Sequence, residues 1–372
     1  MNTCTVFFVV YAAAAVIINA AAIPTRPTLH IFGDSVSDNG LLKNITNGKL
    51  PVWPYWEGRF SSGPVWNEYM APLLGYELNN MAIAGSIPDN DYLELPGSTT
   101  LDSANTTDSS GNTIKPTMQP NIETQINNYN LSLAGHVLPA ANYNDIVILQ
   151  TGAAGFLFKA FSILANEITI NDFVDYLSNS AVKQLDQLYR LGFKTIILVD
   201  IPDFQYSPAA ELFNITDLYR TTVDLYNKQV ASMASEWATK SDQSIFGIIE
   251  LGKFVEVTIK SQAITDALGL LDSTTACVGK KYVDMFVDGE TPDFENMPKN
   301  VTDSLVCSSP STNYFFDYFH LGERVHRLLG YYSSEYVKAL QSGKSFELDE
   351  NTLLELVHRY NLGTNVSKPV NV

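Results

Sequence analysis

Leu29-His-Ile-Phe-Gly-Asp-Ser-Val-Ser-Asp-Asn-Gly40 reads as a short apolar strand that runs into Gly33-Asp34-Ser35 and turns at once. Such a turn lifts the Ser35 hydroxyl off the C-terminal edge of a sheet, where a base can reach it. A serine there is chemically useful when a histidine accepts its proton and a carboxylate orients that histidine. Near the other end of the chain, Phe315-Phe-Asp317-Tyr-Phe-His320 puts an Asp-x-x-His pair on one short segment. Between the two lies Asn80-Met-Ala-Ile-Ala-Gly85, the end of a second apolar run closed by a glycine.

Outward from Ser35, apolar runs alternate with helical patterns. Strands are expected at Thr28–Phe32, Tyr76–Ala84, Asp145–Gln150, Lys194–Val199 and Ser244–Leu251. Helices are expected at Val65–Leu74, Pro120–Leu133, Asn171–Leu191, Asp217–Thr239, Phe254–Leu268, Leu321–Leu340 and Asn351–Tyr360, each with apolar residues at helical spacing. Pro88–Thr117, rich in Ser, Thr, Asn, Asp and Gly, reads as a long surface loop. Continuous apolar strands alternating with helices predict a parallel sheet covered on both faces, with ligands outside the carboxyl ends of its strands. Ser35, Gly85 and Gly152 all follow strands at that edge.

The 372 residues are 45% hydrophobic and 17% charged, a globular balance with ample length for a core. A net charge of −17 opposes nucleic acid and anionic membranes as partners. Val6–Ala22 is apolar, uncharged and followed by Pro24. Its length and small residues at Ala20 and Ala22 favour a cleaved signal peptide over residues 1–22 rather than a membrane anchor. Residues 23–372 show no internal repeat or linker and read as one domain.

Cys4 leaves with the signal, so the mature chain keeps Cys277 and Cys307. In an oxidising compartment the pair reads as one disulfide, with two buried free thiols as the other arrangement. Six Asn-x-Ser/Thr sequons, at Asn44, Asn105, Asn130, Asn214, Asn300 and Asn365, fit a secreted glycoprotein. No metal-ligand pattern and no phosphate-binding loop is present, so no cofactor is expected.

The ordered blocks resemble the GDSL branch of the SGNH hydrolases, serine esterases and lipases. Gly58-Arg-Phe-Ser-Ser-Gly63 looks like a segment of its secreted fungal and plant members, Asn80-Met-Ala-Ile-Ala-Gly85 like its second block, and Asp317-Tyr-Phe-His320 like its last. The resemblance implies a three-layer α/β/α sandwich with a mostly parallel five-stranded sheet. It also implies Ser35 as nucleophile, His320 as base and acid, and Asp317 as the carboxylate behind it. The backbone N–H groups of Ser35 and Gly85 become oxyanion donors. The third block departs from the pattern. Where the family carries Gly-x-Asn-Asp, this chain has Gly152-Ala-Ala154-Gly155, so Ala154 stands at the position of the third oxyanion donor.

Among the other histidines, His30 lies in the first strand, His136 in a loop and His358 in a C-terminal helix. His326, three residues after Glu323, forms a rival pair inside the last helix. Trp53-Pro-Tyr-Trp56 is a candidate lining for an acyl or sugar groove, while Phe60 and Trp66 suit the core. The expected protein is therefore a secreted, monomeric serine ester hydrolase acting on a small-molecule, lipid or polysaccharide ester, the last by acetylester cleavage. The alternative is a catalytically weakened relative that binds carbohydrate or lipid, which Ala154 favours.

Overall fold

A computed structural model of the chain describes residues 26–96, 106–107, 113–114, 121–133, 144–241, 245–282 and 296–364. The expected signal segment, most of the Pro88–Thr117 loop, His136, Asn105 and Asn365 lie outside the described residues.

Thr28–Phe32 (β1), Glu77–Asn80 (β2), Ile146–Gln150 (β3), Thr195–Val199 (β4) and Ile245–Ile249 (β5) form one sheet in the order β2-β1-β3-β4-β5. Every pairing is parallel, with Ile31 opposite Asn80 on one side and Ile148 on the other. Because strand side chains alternate, successive residues of β1, β3 and β4 feed two cores. Phe32, Leu149 and Leu198 pack with Ile122–Ser132 (α2), Ile170–Arg190 (α4) and Thr216–Lys240 (α5) on one face. Ile31, Ile148 and Ile197 pack with Trp66–Leu74 (α1), Leu251–Lys260 (α6), Gln262–Ala267 (α7), Glu323–Gln341 (α8) and Glu350–Arg359 (α9) on the other. Burial on both faces is what permits the unbroken Ile-Val-Ile-Leu run of β3. The result is the three-layer α/β/α sandwich, its sheet parallel throughout.

Three local expectations change. The strand expected over Tyr76–Ala84 ends at Asn80, whose side-chain oxygen accepts the Ala82 N–H (2.9 Å) and turns the chain. The helix expected over Phe254–Leu268 is two, because Ser261 breaks it and its hydroxyl caps α7 by accepting the Ile264 N–H (3.1 Å). Ala153–Leu164 (α3), not expected as a helix, starts directly after Gly152.

A second, two-stranded sheet pairs Asp272–Ala276 (β6) with Asn313–Phe315 (β7). Cys277 and Cys307 are joined by a disulfide next to it. The Cys277 and Val278 N–H groups donate to the carbonyls of Phe315 and Phe316 (3.2 and 2.8 Å), so the bridged segment holds the chain that leads into Asp317. Asn44, Asn130, Asn214 and Asn300 are all exposed. Among the described residues no helix is long and apolar enough to cross a membrane.

Candidate active site

The turn after β1 is fixed from several sides. Gln125 on α2 accepts the Gly33 N–H (3.0 Å) and donates to the Gly33 carbonyl (2.8 Å). Gln150 at the end of β3 accepts the Asp34 N–H (3.0 Å). The Asp34 carboxylate is buried; its oxygens accept the Val36 N–H (3.2 Å) and the Ala154 N–H (3.0 Å). Burial raises the Asp34 carboxyl above its ordinary value despite those bonds. Held in this way, the partly exposed Ser35 side chain stands at the C-terminal edge of the sheet.

Ser35 Oγ lies 2.8 Å from His320 Nε2. On the far side of the ring, Nδ1 sits 2.7 Å from Asp317 Oδ2 and 2.9 Å from Oδ1. Asp317 Oδ1 also accepts the Phe319 and His320 N–H groups (2.8 and 2.7 Å), a tight local turn that the Asp-x-x-His spacing makes possible. Burial alone would push the Asp317 carboxyl up. The His320 imidazole and the two N–H groups outweigh it and hold the group below the usual carboxylate range. Burial likewise disfavours a charged His320, but Asp317 beside it, with Asp34 further off, holds the imidazole above its ordinary value of 6.5. The pair therefore favours an ionised carboxylate and a basic imidazole, as a proton acceptor for Ser35 requires.

Two residues in the sequence block after Ser35 complete this surround. Tyr55 donates its hydroxyl to Asp317 Oδ2 (2.8 Å), and the Phe60 ring lies against that of His320, centroids 5.0 Å apart. Reading Tyr55 as groove lining and Phe60 as core missed both contacts, since neither residue carries a local mark pointing to a partner so far along the chain. The block also clamps the chain after His320: Ser61 donates to the Leu321 carbonyl (3.1 Å), and Ser62 accepts the Glu323 N–H (3.0 Å).

Asp38 acts on the second block. Its oxygens accept the Gly40, Leu41 and Leu42 N–H groups and, with Oδ2, the Ala84 N–H at 2.8 Å. That last bond fixes the chain one residue before Gly85, whose φ of +80° favours glycine. Gly152 has φ +105°, and a Cβ there would meet the Tyr226 hydroxyl at 3.0 Å. The next turn is α3, so Ala154 is a buried helical residue whose N–H is taken by Asp34.

The rival pair does not form. Glu323 accepts from Tyr69 (2.5 Å) and pairs with Arg327 (3.3 Å), while His326 is buried with its Nδ1 unpartnered. His30 is packed inside the sheet region against Asp145 (3.3 Å) and Asn79 (3.2 Å), and His358 lies exposed on α9.

Residues 29–332 match the family described as GDSL-like Lipase/Acylhydrolase. Phosphatidylcholine-sterol acyltransferase of Aeromonas hydrophila is 26% identical over 262 residues, 70% of this chain and 68% of that protein. A GDSL esterase/lipase of Arabidopsis thaliana is 22% identical over 319 residues, covering 80% of this chain and 84% of its own. GDSL esterase/lipase 6 of the same plant is 20% identical over 362 residues, or 91% and 93%.

Proposed function

We propose that this chain, which belongs to the GDSL lipase/acylhydrolase family, is a serine hydrolase of carboxylic esters that works through Ser35, His320 and Asp317. The esterase/lipase type of activity comes with the family; the residues and their roles are our reading. The observation that carries it is the continuous chain from Ser35 Oγ to His320 Nε2 (2.8 Å) and from Nδ1 to Asp317 (2.7 Å).

In this mechanism His320 Nε2 takes the Ser35 proton as Oγ bonds to the ester carbonyl carbon. The Ser35 and Gly85 backbone N–H groups receive the oxyanion. The bond to the alcohol oxygen then breaks, and His320 passes its proton to the departing alkoxide. Water repeats the sequence against the acyl-Ser35 ester and releases the carboxylic acid. Asp317 stays ionised throughout, keeping the proton of neutral His320 on Nδ1. An alcohol in place of water would give acyl transfer from the same intermediate, the reaction class in the Aeromonas relative's name.

Residues 1–22 serve in this reading as a cleaved signal and 23–372 as one secreted, monomeric hydrolase domain, glycosylated on its exposed sequons. The substrate is a lipid or polysaccharide ester. A second reading rests on Ala154, which supplies no side-chain donor: a weakened relative that binds such ligands without turnover. Hydrolysis of short and long p-nitrophenyl esters by the wild type and Ser35→Ala separates the two. Turnover that vanishes in Ser35→Ala, with an organophosphonate adduct mapped to Ser35, is the expected result. Activity retained in Ser35→Ala overturns the assignment, and no turnover by the wild type on any ester favours the binding protein.

A further inference from the structure

Five large apolar side chains, Phe158, Phe161 and Leu164 on α3 and Leu212 and Phe213 beside it, are each between 44% and 57% exposed. On α3 the three recur every third residue and so share one outer face. Phe161 and Phe213 meet edge to face, centroids 5.5 Å apart, which joins α3 and the end of the short helix Pro208–Leu212 into one patch. Clustering of this kind, unlike scattered apolar residues, marks an interaction surface.

The patch lies on the catalytic side. Phe156 of α3 packs on Tyr219 near the start of α5 (5.1 Å) and on Phe204 (5.6 Å), and Phe204 packs on Phe319, next to His320 (6.5 Å). The Ala209 N–H donates to the Tyr318 carbonyl (3.1 Å), tying the Leu212–Phe213 segment to the Asp317–His320 turn. Gly152 precedes α3, and Phe158 lies about 9 Å along the helix axis from it at 1.5 Å per residue.

Charge indicates what covers this face. The chain carries 40 acidic residues, yet Ala153–Leu164 has none. Its one cation, Lys159, is buried, and its ammonium donates to the Leu95 and Pro96 carbonyls (3.2 and 3.0 Å). Exposed Glu167 and Glu211 flank the patch. An anionic surface is repelled by those acids and by the net charge of −17, and a second copy brings the same −17. Five half-exposed side chains also offer roughly 500 Å², short of the roughly 800 Å² per partner typical of a stable protein interface. A neutral lipid surface meets neither obstacle.

We propose that Phe158, Phe161, Leu164, Leu212 and Phe213 dock the protein onto an electrically neutral lipid surface, so that Ser35 meets esters packed in that surface. The substrate statement rests on the hydrolase reading above; the docking does not. Flotation with phosphatidylcholine vesicles, done in the Ser35→Ala protein, leaves the lipid intact and needs no catalysis. Ser35→Ala is expected to float, and adding Phe158→Ser, Phe161→Ser and Phe213→Ser should lower partitioning by about tenfold or more. In the otherwise intact enzyme the three serines should leave short soluble ester hydrolysis within about twofold while vesicle hydrolysis falls about tenfold. Phe161→Ser alone, checked by an unchanged melting temperature, guards against a folding defect. No flotation, flotation unaffected by the serines, preference for phosphatidylglycerol vesicles, or a dimer that the serines dissociate in sedimentation overturns the docking. Absence of short-ester hydrolysis by the wild type would instead strike the hydrolase reading.

Discussion

The Tyr55 hydroxyl donates a 2.8 Å hydrogen bond to Asp317 Oδ2, the oxygen nearest His320 Nδ1, across 262 residues of sequence. Its phenol is pushed well above its ordinary value, first by burial and then by the Asp317 charge, so it stays a donor. The acid limb of kcat/KM should lie above 6.5, where His320 loses its proton. Tyr55→Phe leaves that carboxylate with one donor fewer, and more of its charge then acts on the imidazolium. The limb should move to higher pH, with the plateau falling by less than about tenfold. A pH profile identical to the wild type would refute this electrostatic role.

Ser35→Ala and His320→Ala should each abolish ester hydrolysis while the far-ultraviolet circular dichroism is unchanged, because nucleophile and base act as one unit. Asp317→Ala should be milder than either, since Asp317 orients rather than transfers the proton. Equal residual rates for all three variants would argue against that division of labour.

Ala154 offers a gain-of-function test. Ala154→Asn should restore a donor near the oxyanion, raising kcat by about tenfold with little change in KM. The full effect of such a donor is not expected, because the surroundings of a buried helical residue were not shaped around an amide. A change confined to KM would place the new amide elsewhere.

His326 should make the fold sensitive to acid. Burial, reinforced by His320, holds its imidazole down at about 3, whereas in the unfolded chain it protonates near 6.5. The unfolded state therefore binds the extra proton across that window, and stability should fall with decreasing pH by up to about 1.4 kcal/mol per unit. His320 has the opposite sign: its raised value adds stability that is full below 6.5 and fades as pH rises past its folded value. Urea unfolding of wild type and His326→Leu at several pH values isolates the first effect as a wild-type stability that falls relative to the variant toward acid. A constant difference would sink it.

Strands β1, β3, β4 and β5 were legible because each is a compact apolar run, and β1 and β4 start or end within one residue of their expected bounds; β2, Glu77-Leu-Asn-Asn80, is mostly polar, and its end was misplaced. The Ser35, Asp317 and His320 cluster was legible because short blocks carry it. Helix α3 was not: Ala153-Ala-Gly-Phe-Leu-Phe-Lys-Ala-Phe-Ser-Ile-Leu164 is apolar nearly all round, so no polar face marks its period, and its first residues read as a broken block. Tyr55 escaped because loop residues take partners through tertiary packing alone. Asp38 and Gln125 escaped for a related reason, since their work is to accept or bridge backbone groups, which leaves no side-chain pattern in the sequence.

Ser35 and His320 stand 285 residues apart, and that separation governs when chemistry begins. At roughly 5–20 residues per second, synthesis takes roughly 15–60 s to pass from Ser35 to His320. On the mechanism proposed above, the nascent chain through that interval carries a serine with no proton acceptor and would be inert toward the esters of the cell that makes it. On the same mechanism a chain broken off anywhere before His320 would stay inert for good.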